Sequence, residues 1–192
     1  MILIYRKFYR LLGLIFPLIY YFTNKKLTLI LVFIIASLAI VVEVLRFYFP
    51  NFNQKIFRNF SLILKDQERK RISGTTYFLI ASLLVVFLFE KAIAITSLVF
   101  SVFGDAIATI IGTSFGSLRI KDKSFEGSIA CFVLCLLLGF ILVHTELNLN
   151  MKLVFSGALA TTVMEILPVR IDDNFTVPVF TGFVMSLVKF LS

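Results

Sequence analysis

The sequence predicts an all-α, polytopic membrane helical bundle, and three observations carry that prediction. Of 192 residues, 59% are hydrophobic and only 16% charged, against roughly half and a quarter in an average soluble domain. Mean hydropathy is +0.99. The apolar residues come in runs near the roughly 20 residues a helix needs to cross a bilayer. The runs are continuous, unlike the ~10-residue alternating strands of a transmembrane barrel. These features exclude a soluble enzyme, a disordered tail and a secreted disulfide scaffold.

Seven apolar segments follow in order, approximately 8–22, 27–49, 75–89, 92–112, 128–144, 151–168 and 175–191. The first is preceded by Arg6, Lys7 and Arg10 like a signal peptide. No A-x-A-like site follows it, and Asn24, Lys25 and Lys26 come next, so it reads as a retained helix. The first, third and last segments are short for a full crossing, which sets the expectation at six or seven spans. Between the second and third, Asn51 to Gly74 is polar. Phe52, Ile56, Phe57, Phe60, Ile63 and Leu64 recur there at helical spacing, with Lys55, Arg58, Lys65, Arg69, Lys70 and Arg71 on the other side. That pattern predicts an amphipathic helix at the membrane surface. No internal repeat or low-complexity linker interrupts the chain, so residues 1–192 read as a single integral membrane domain.

The net charge of +8 points to positive-inside topology and anionic lipid contact, not to nucleic acid. With seven spans, thirteen basic residues fall on the N-terminal side and five (Lys25, Lys26, Lys91, Lys152, Lys189) opposite. The bias puts the N-terminus and the 113–127 loop in the cytoplasm. Nine of the eleven acids fall in or near the same side; only Glu90 and Glu146 lie opposite. Acids contribute little to topology, so a site for a metal and a polyanion on that face is the reading that accounts for them. Cys131 and Cys135, four apart in an apolar run, share a helix face and read as packing residues. The lone His144 makes zinc improbable.

Three patches carry candidate chemistry. In Gly104-Asp105-x-x-Ala108-Thr109-x-x-Gly112-x-x-x-Gly116, a costly carboxylate lies inside an apolar helix. Asp105, Thr109, Gly112 and Gly116 share one face, open to a ligand or to another helix. In 118–128, the basic loop of Arg119, Lys121 and Lys123 runs into a helix start with Ser124 as its N-cap. Ser124, Glu126, Gly127, Ser128 and the free N–H groups suit a phosphate chain; a plain positive-inside loop with an ordinary cap fits too. It is not a Walker A loop. In 165–178, Glu165, Asp172, Asp173 and Asn174 offer hard oxygen ligands suited to Mg²⁺. The same Asp-Asp-Asn is also an ordinary turn before a helix whose first turn holds Pro178. Glu43 with Arg46, and Glu68 with Arg71, are accessory positions: a simple ion pair and surface charge, or reach toward a headgroup or triphosphate.

Together these motifs, with Lys123-Ser124-x-Glu126-Gly127-Ser128 and Asp172-Asp173-Asn174-x-Thr176-x-Pro178, resemble the CTP-dependent lipid kinases, a family of dolichol, phytol, farnesol and CTP-dependent diacylglycerol kinases. The resemblance covers residues 104–178 and the Glu68–Gly74 stretch. It implies transfer of the γ-phosphate of CTP to a lipid alcohol (a polyprenol, a phytol-like alcohol or diacylglycerol), assisted by Mg²⁺ or another divalent cation. It implies Asp105 and Asp173 as catalytic groups. Gly112, Gly116, Lys121, Lys123, Ser124, Glu126, Gly127 and Ser128 would hold nucleotide, and Asp105, Glu165, Asp172 and Asp173 metal. The related phosphatidate cytidylyltransferases, which move CMP to a lipid phosphate, carry a PGHGGxxDRxD-like signature; the Asp-Asp-Asn here favours the kinase branch. A small transporter would instead place acids near the midplane, and a scaffold would leave the acid cluster without purpose. A homo-oligomer stays open.

Overall fold

The computed structural model describes residues 9–60, 64, 66–120 and 123–192. Arg6, Lys7, Ile63, Lys65 and Lys121, named above, lie outside them. Eight helices make up the described chain. These are α1 (Tyr9–Phe22, with a 3₁₀ turn at Leu12–Leu14), α2 (Lys25–Tyr48), α3 (Pro50–Asn59), α4 (Gly74–Leu88), α5 (Lys91–Phe115), α6 (Phe125–Val143), α7 (Met151–Ile166) and α8 (Asp173–Leu191). By length and apolarity α2, α5, α6 and α8 can cross a membrane, while α1 and α4 are shorter apolar helices. The seven expected segments are all helical, and four of them meet the length of a full crossing.

Most helix starts are written in the local sequence. Asn24, Ser73, Ser124, Asn150 and Asp172 are N-caps whose side-chain oxygens accept from backbone N–H groups in the first turn of the following helix. α5 is the central element, with Ile93, Leu98 and Phe100 buried along it. It packs against α6, α7 and α8 on one side and α1 on another. Between apolar helices in lipid, close approach rather than water expulsion holds the bundle. A Cβ on Gly139 of α6 would lie 2.2 Å from Val154 Cγ1 of α7, so that contact requires the missing side chain. Cys131 and Cys135 are free and buried in the core beside Phe100, as their spacing suggests.

Two expectations need correction. The surface helix does not run through 51–74. It ends at Asn59, and a 3₁₀ turn, Asp66–Lys70, follows. Arg46 donates to the Glu68 carbonyl at 2.7 Å and Asn53 to the Arg69 carbonyl at 3.0 Å, which folds the segment back onto the end of α2. Within α3 the amphipathic pattern holds: Phe57 is buried and Lys55 and Arg58 exposed. The all-α bundle holds, with one short strand pair in the loop before α6. Arg119–Ile120 (β1) and Lys123–Ser124 (β2) pair antiparallel in a two-residue hairpin. Finally, Pro178 lies inside α8, beyond its first turn. With no N–H, it leaves the carbonyl of Asn174 without its i+4 donor.

Candidate functional site

One cavity of about 720 Å³ gathers most of the candidate residues, within the usual range of ligand pockets. Its charged groups come from seven elements: Arg10 of α1, Glu68 of the 3₁₀ turn, Asp105 of α5, Arg119 of β1, Lys123 of β2, Glu165 of α7 and Asp173 of α8, with Asp172 just before it. Lys123 Nζ donates to Glu165 Oε1 at 2.7 Å and to Asp173 Oδ2 at 2.5 Å. The two loops separated by about 50 residues therefore meet at one lysine. Arg10 donates to Asp105 Oδ2, and Asp172 and Glu165 are close enough to add to its field. Glu165 is only 3% exposed, and a carboxylate so placed needs a partner charge. Burial pulls the Lys123 amine down, but Glu165 and Asp173 outweigh it and hold the amine above its ordinary value.

Of the patch on α5, Asp105, Thr109 and Gly112 face the cavity together with Ser124 and Ser128. The hairpin turns Lys123 inward, and Ser124 Oγ accepts from Gly127 N at 3.0 Å to start α6. Asp172 caps α8 by accepting from Asn174 N at 3.0 Å and from the Asn174 side-chain amide at 2.6 Å. Both residues line the cavity, as does Glu68, whose Oε1 accepts from Gly74 N at 2.9 Å.

Other candidates stand apart from the cavity. Gly127 is a packing position: a Cβ there would meet the Ala108 carbonyl oxygen at 2.4 Å. Gly116 is similarly closed by Gly112 O and Ser124. Glu126 Oε1 accepts from Ser117 N at 2.9 Å, from Leu118 N and from Ser117 Oγ, pinning the turn after α5. Glu43 and Arg46 form a buried pair at 2.7 Å. Glu43 also accepts from Ser73 N and Thr76 Oγ1, and Arg46 lies over the Phe57 ring. They brace α2, α3 and the start of α4. Arg71 is exposed and does not line the cavity.

Sequence reasoning missed Arg10 as a site group and counted it only as a topology charge. Tyr9 and Thr75 also line the cavity unannounced. Their only signal is position near a helix start, which many surface residues share. The cavity walls change character with depth. Leu12, Phe16, Ile35, Phe78, Leu79 and Val102 line the part away from the charges.

Among the described residues no three carboxylate, cysteine or histidine side chains converge as a ready metal cage. The donor chemistry still suits Mg²⁺, which takes one or two carboxylates and fills its shell with water and substrate phosphates. Asp105, Asp172, Asp173 and Glu165 all face the same space.

The fold and this cavity define a polytopic helical membrane protein with a charged site opening onto an apolar chamber. The chain is 32% identical over 144 residues to a probable chloroplastic phytol kinase of Triticum aestivum, covering 67% of this chain and 48% of that one. It is 24% identical over 172 residues to CTP-dependent diacylglycerol kinase 1 of Saccharomyces cerevisiae, covering 77% and 59%. An uncharacterized protein of Rickettsia prowazekii matches at 28% over 180 residues, 90% of this chain and 88% of the relative. No family model and no solved structure matches. The chain belongs to the CTP-dependent lipid kinase family that the phytol and diacylglycerol kinases represent. It spans about half the length of the kinases it matches.

Proposed function

We propose that the protein transfers the γ-phosphate of CTP to the hydroxyl of a lipid alcohol, with the reaction at the cytoplasmic face. The observation that carries this reading is the cavity itself: cations and carboxylates at one end, hydrocarbon walls at the other. Phosphoryl transfer is mostly positioning and charge neutralisation, and these residues provide both. Choice of CTP follows the name of the yeast relative, and the face follows the basic bias of the loops.

In this reading Lys123 and Arg10 are the phosphate clamps. Each holds carboxylates, and each would exchange them for phosphate oxygens of the nucleotide. The carboxylates so released are Asp105, Glu165 and Asp173; with Asp172 they would hold Mg²⁺, which neutralises charge on the transferring group. Asp105 stands where the charged and apolar regions join, one helical turn from Ser101 and Val102. It is therefore the group best placed to accept the proton of a lipid hydroxyl. Ser124 and Ser128 offer hydroxyls to the phosphates, and Lys121, Gly112 and Asn174 complete the nucleotide side.

Purified protein, divalent cation and a panel of lipid alcohols, with CTP labelled at the γ- or α-phosphate, test this. Label from the γ position in lipid is the expected result. Label from the α position, with a lipid phosphate as acceptor, would make the protein a cytidylyltransferase instead.

A further inference from the structure

The apolar end of the cavity has a floor. Phe16 and Leu79 are buried with Val32 and Ala36 in one cluster beneath it. Phe78 closes it further: its ring lies 6.3 Å from that of Phe16, and a Cβ on Gly13 would be 2.7 Å from its edge. A tail entering along the bundle axis therefore stops within about two helical turns of Asp105, on the order of 10 Å.

Sideways, among the described residues, the wall is open. Leu12 and Ile15 of α1 and Ile35 of α2 line the cavity yet are 61%, 52% and 40% exposed. Residues that face a chamber and the exterior at once mark an opening between the two helices. α1 and α2 are tied at their far ends, where Thr23 and Thr28 hydroxyls meet at 2.9 Å, and the gap lies toward the charged end. The described residues that mark it, Leu12, Ile15 and Ile35, are apolar. α2 beyond it presents Ile34, Leu38 and Val41 outward, a surface suited to lipid chains.

We infer that the gap between α1 and α2 is a lateral portal, through which the hydrocarbon tail of the acceptor stays in the bilayer while its hydroxyl reaches Asp105. This rests on the reading of the cavity as a lipid-alcohol kinase site. The substrate class follows from it: alcohols whose tails run out into lipid are accepted with little regard to tail length beyond the portal, whereas a closed tunnel would impose a cut-off. Selection acts on the first carbons beside the hydroxyl, between Phe78 and Val102.

The test narrows the portal with Ile15→Phe and Ile35→Phe, separately and together, at half-exposed positions where a larger ring can be accommodated. Leu38→Phe, on the outer face, is the control. KM for phytol is expected to rise about tenfold, the scale of one pocket contact. KM for CTP, and for dimethylallyl alcohol, whose tail ends inside the chamber, should not change. An unchanged phytol KM, or an equal loss toward both alcohols, overturns the portal. Binding is read separately. The chain has no tryptophan, so Leu12→Trp is a unique fluorophore at the rim. Dibrominated phytol should quench it saturably, and Ile35→Phe should weaken that quenching. Quenching no stronger than at Leu38→Trp removes the portal even if phosphate transfer is found. Saturable quenching without transfer to any alcohol removes the kinase reading and keeps the portal.

Discussion

Replacing Lys123 with methionine separates the structural from the catalytic role of the cavity's central cation. The stem is kept and the charge removed. Two carboxylates then lose their partner. At 2.7 and 2.5 Å and an effective dielectric near 20, each gross attraction is about 6 kcal/mol, most of it offset by the cost of withdrawing the charges from water. Breaking a buried pair by removing one member costs about 3–5 kcal/mol. The Asp173 arm is discounted, because its side chain is 32% exposed and that of Lys123 29%; the Glu165 side chain, 4% exposed, carries most of the effect. Lys123→Met should thus lose about 3 kcal/mol. Lys123→Met with Glu165→Gln should lose only about 1, since the orphaned buried charge is gone. Reversible unfolding in mixed micelles measures both, and the double variant should be about 2 kcal/mol more stable than Lys123→Met alone. Nucleotide affinity should fall in both variants, because neither restores a cation for the phosphates. A double variant as unstable as the single one would refute the claim that this ion pair ties the β1–β2 hairpin to α7 and α8.

Asp105→Asn should lower kcat by about a hundredfold or more, as expected for loss of a general base or metal carboxylate, at normal expression; steady-state turnover with phytol checks it. Gly127→Ala should destabilise by about 1–3 kcal/mol and more than Gly112→Ala. The first meets the Ala108 backbone at 2.4 Å and the second the side-chain hydroxyl of Ser124 at 2.6 Å, which can rotate; thermal unfolding ranks them. The raised Lys123 amine gives a pH prediction. Its ion-pair contribution is whole below its ordinary value of 10.5 and is lost only as pH climbs through the higher folded value. At pH of about 9.5 Lys123 should therefore acylate more slowly than exposed Lys25 or Lys26, as peptide mapping after amine labelling will report. Glu43→Ala should cost about 3–5 kcal/mol by leaving buried Arg46 without its carboxylate, detectable by chemical unfolding.

The partner exchange inferred for Lys123 and Arg10 also bears on how a charged site persists in an apolar bundle. A carboxylate at 3% exposure such as Glu165 is tolerable only while a cation is within contact. Arg10 and Lys123 supply those cations here. In the proposed reading they would give way to a ligand that brings both phosphates and a metal, because the carboxylates would then gain the metal as they lose the lysine and arginine.

Sequence alone determined what depends on local order. The seven apolar segments, the cap at Ser124, and the amphipathic character of α3 all follow from spacing and residue type, which act within a few residues. The face shared by Asp105, Thr109 and Gly112 follows from helical periodicity. The acids of 165–173 and the basic loop before α6 were legible as chemistry for the same reason, since carboxylates near apolar runs are costly wherever they occur. The tertiary structure decided which of them converge. Arg10 read as a topology charge until packing of α1 against α5 brought it to Asp105. Glu43 with Arg46, and Gly127, read as candidate site groups until packing made them a brace and a helix contact. The meeting of the Asp66–Lys70 turn with the end of α2 depends on Arg46 reaching Glu68, a contact across 22 residues. Local patterns fix what a residue can do; only the crossing of helices fixes which charge stands beside it, and in a low-dielectric bundle that neighbour decides whether the charge is held in place or left to act.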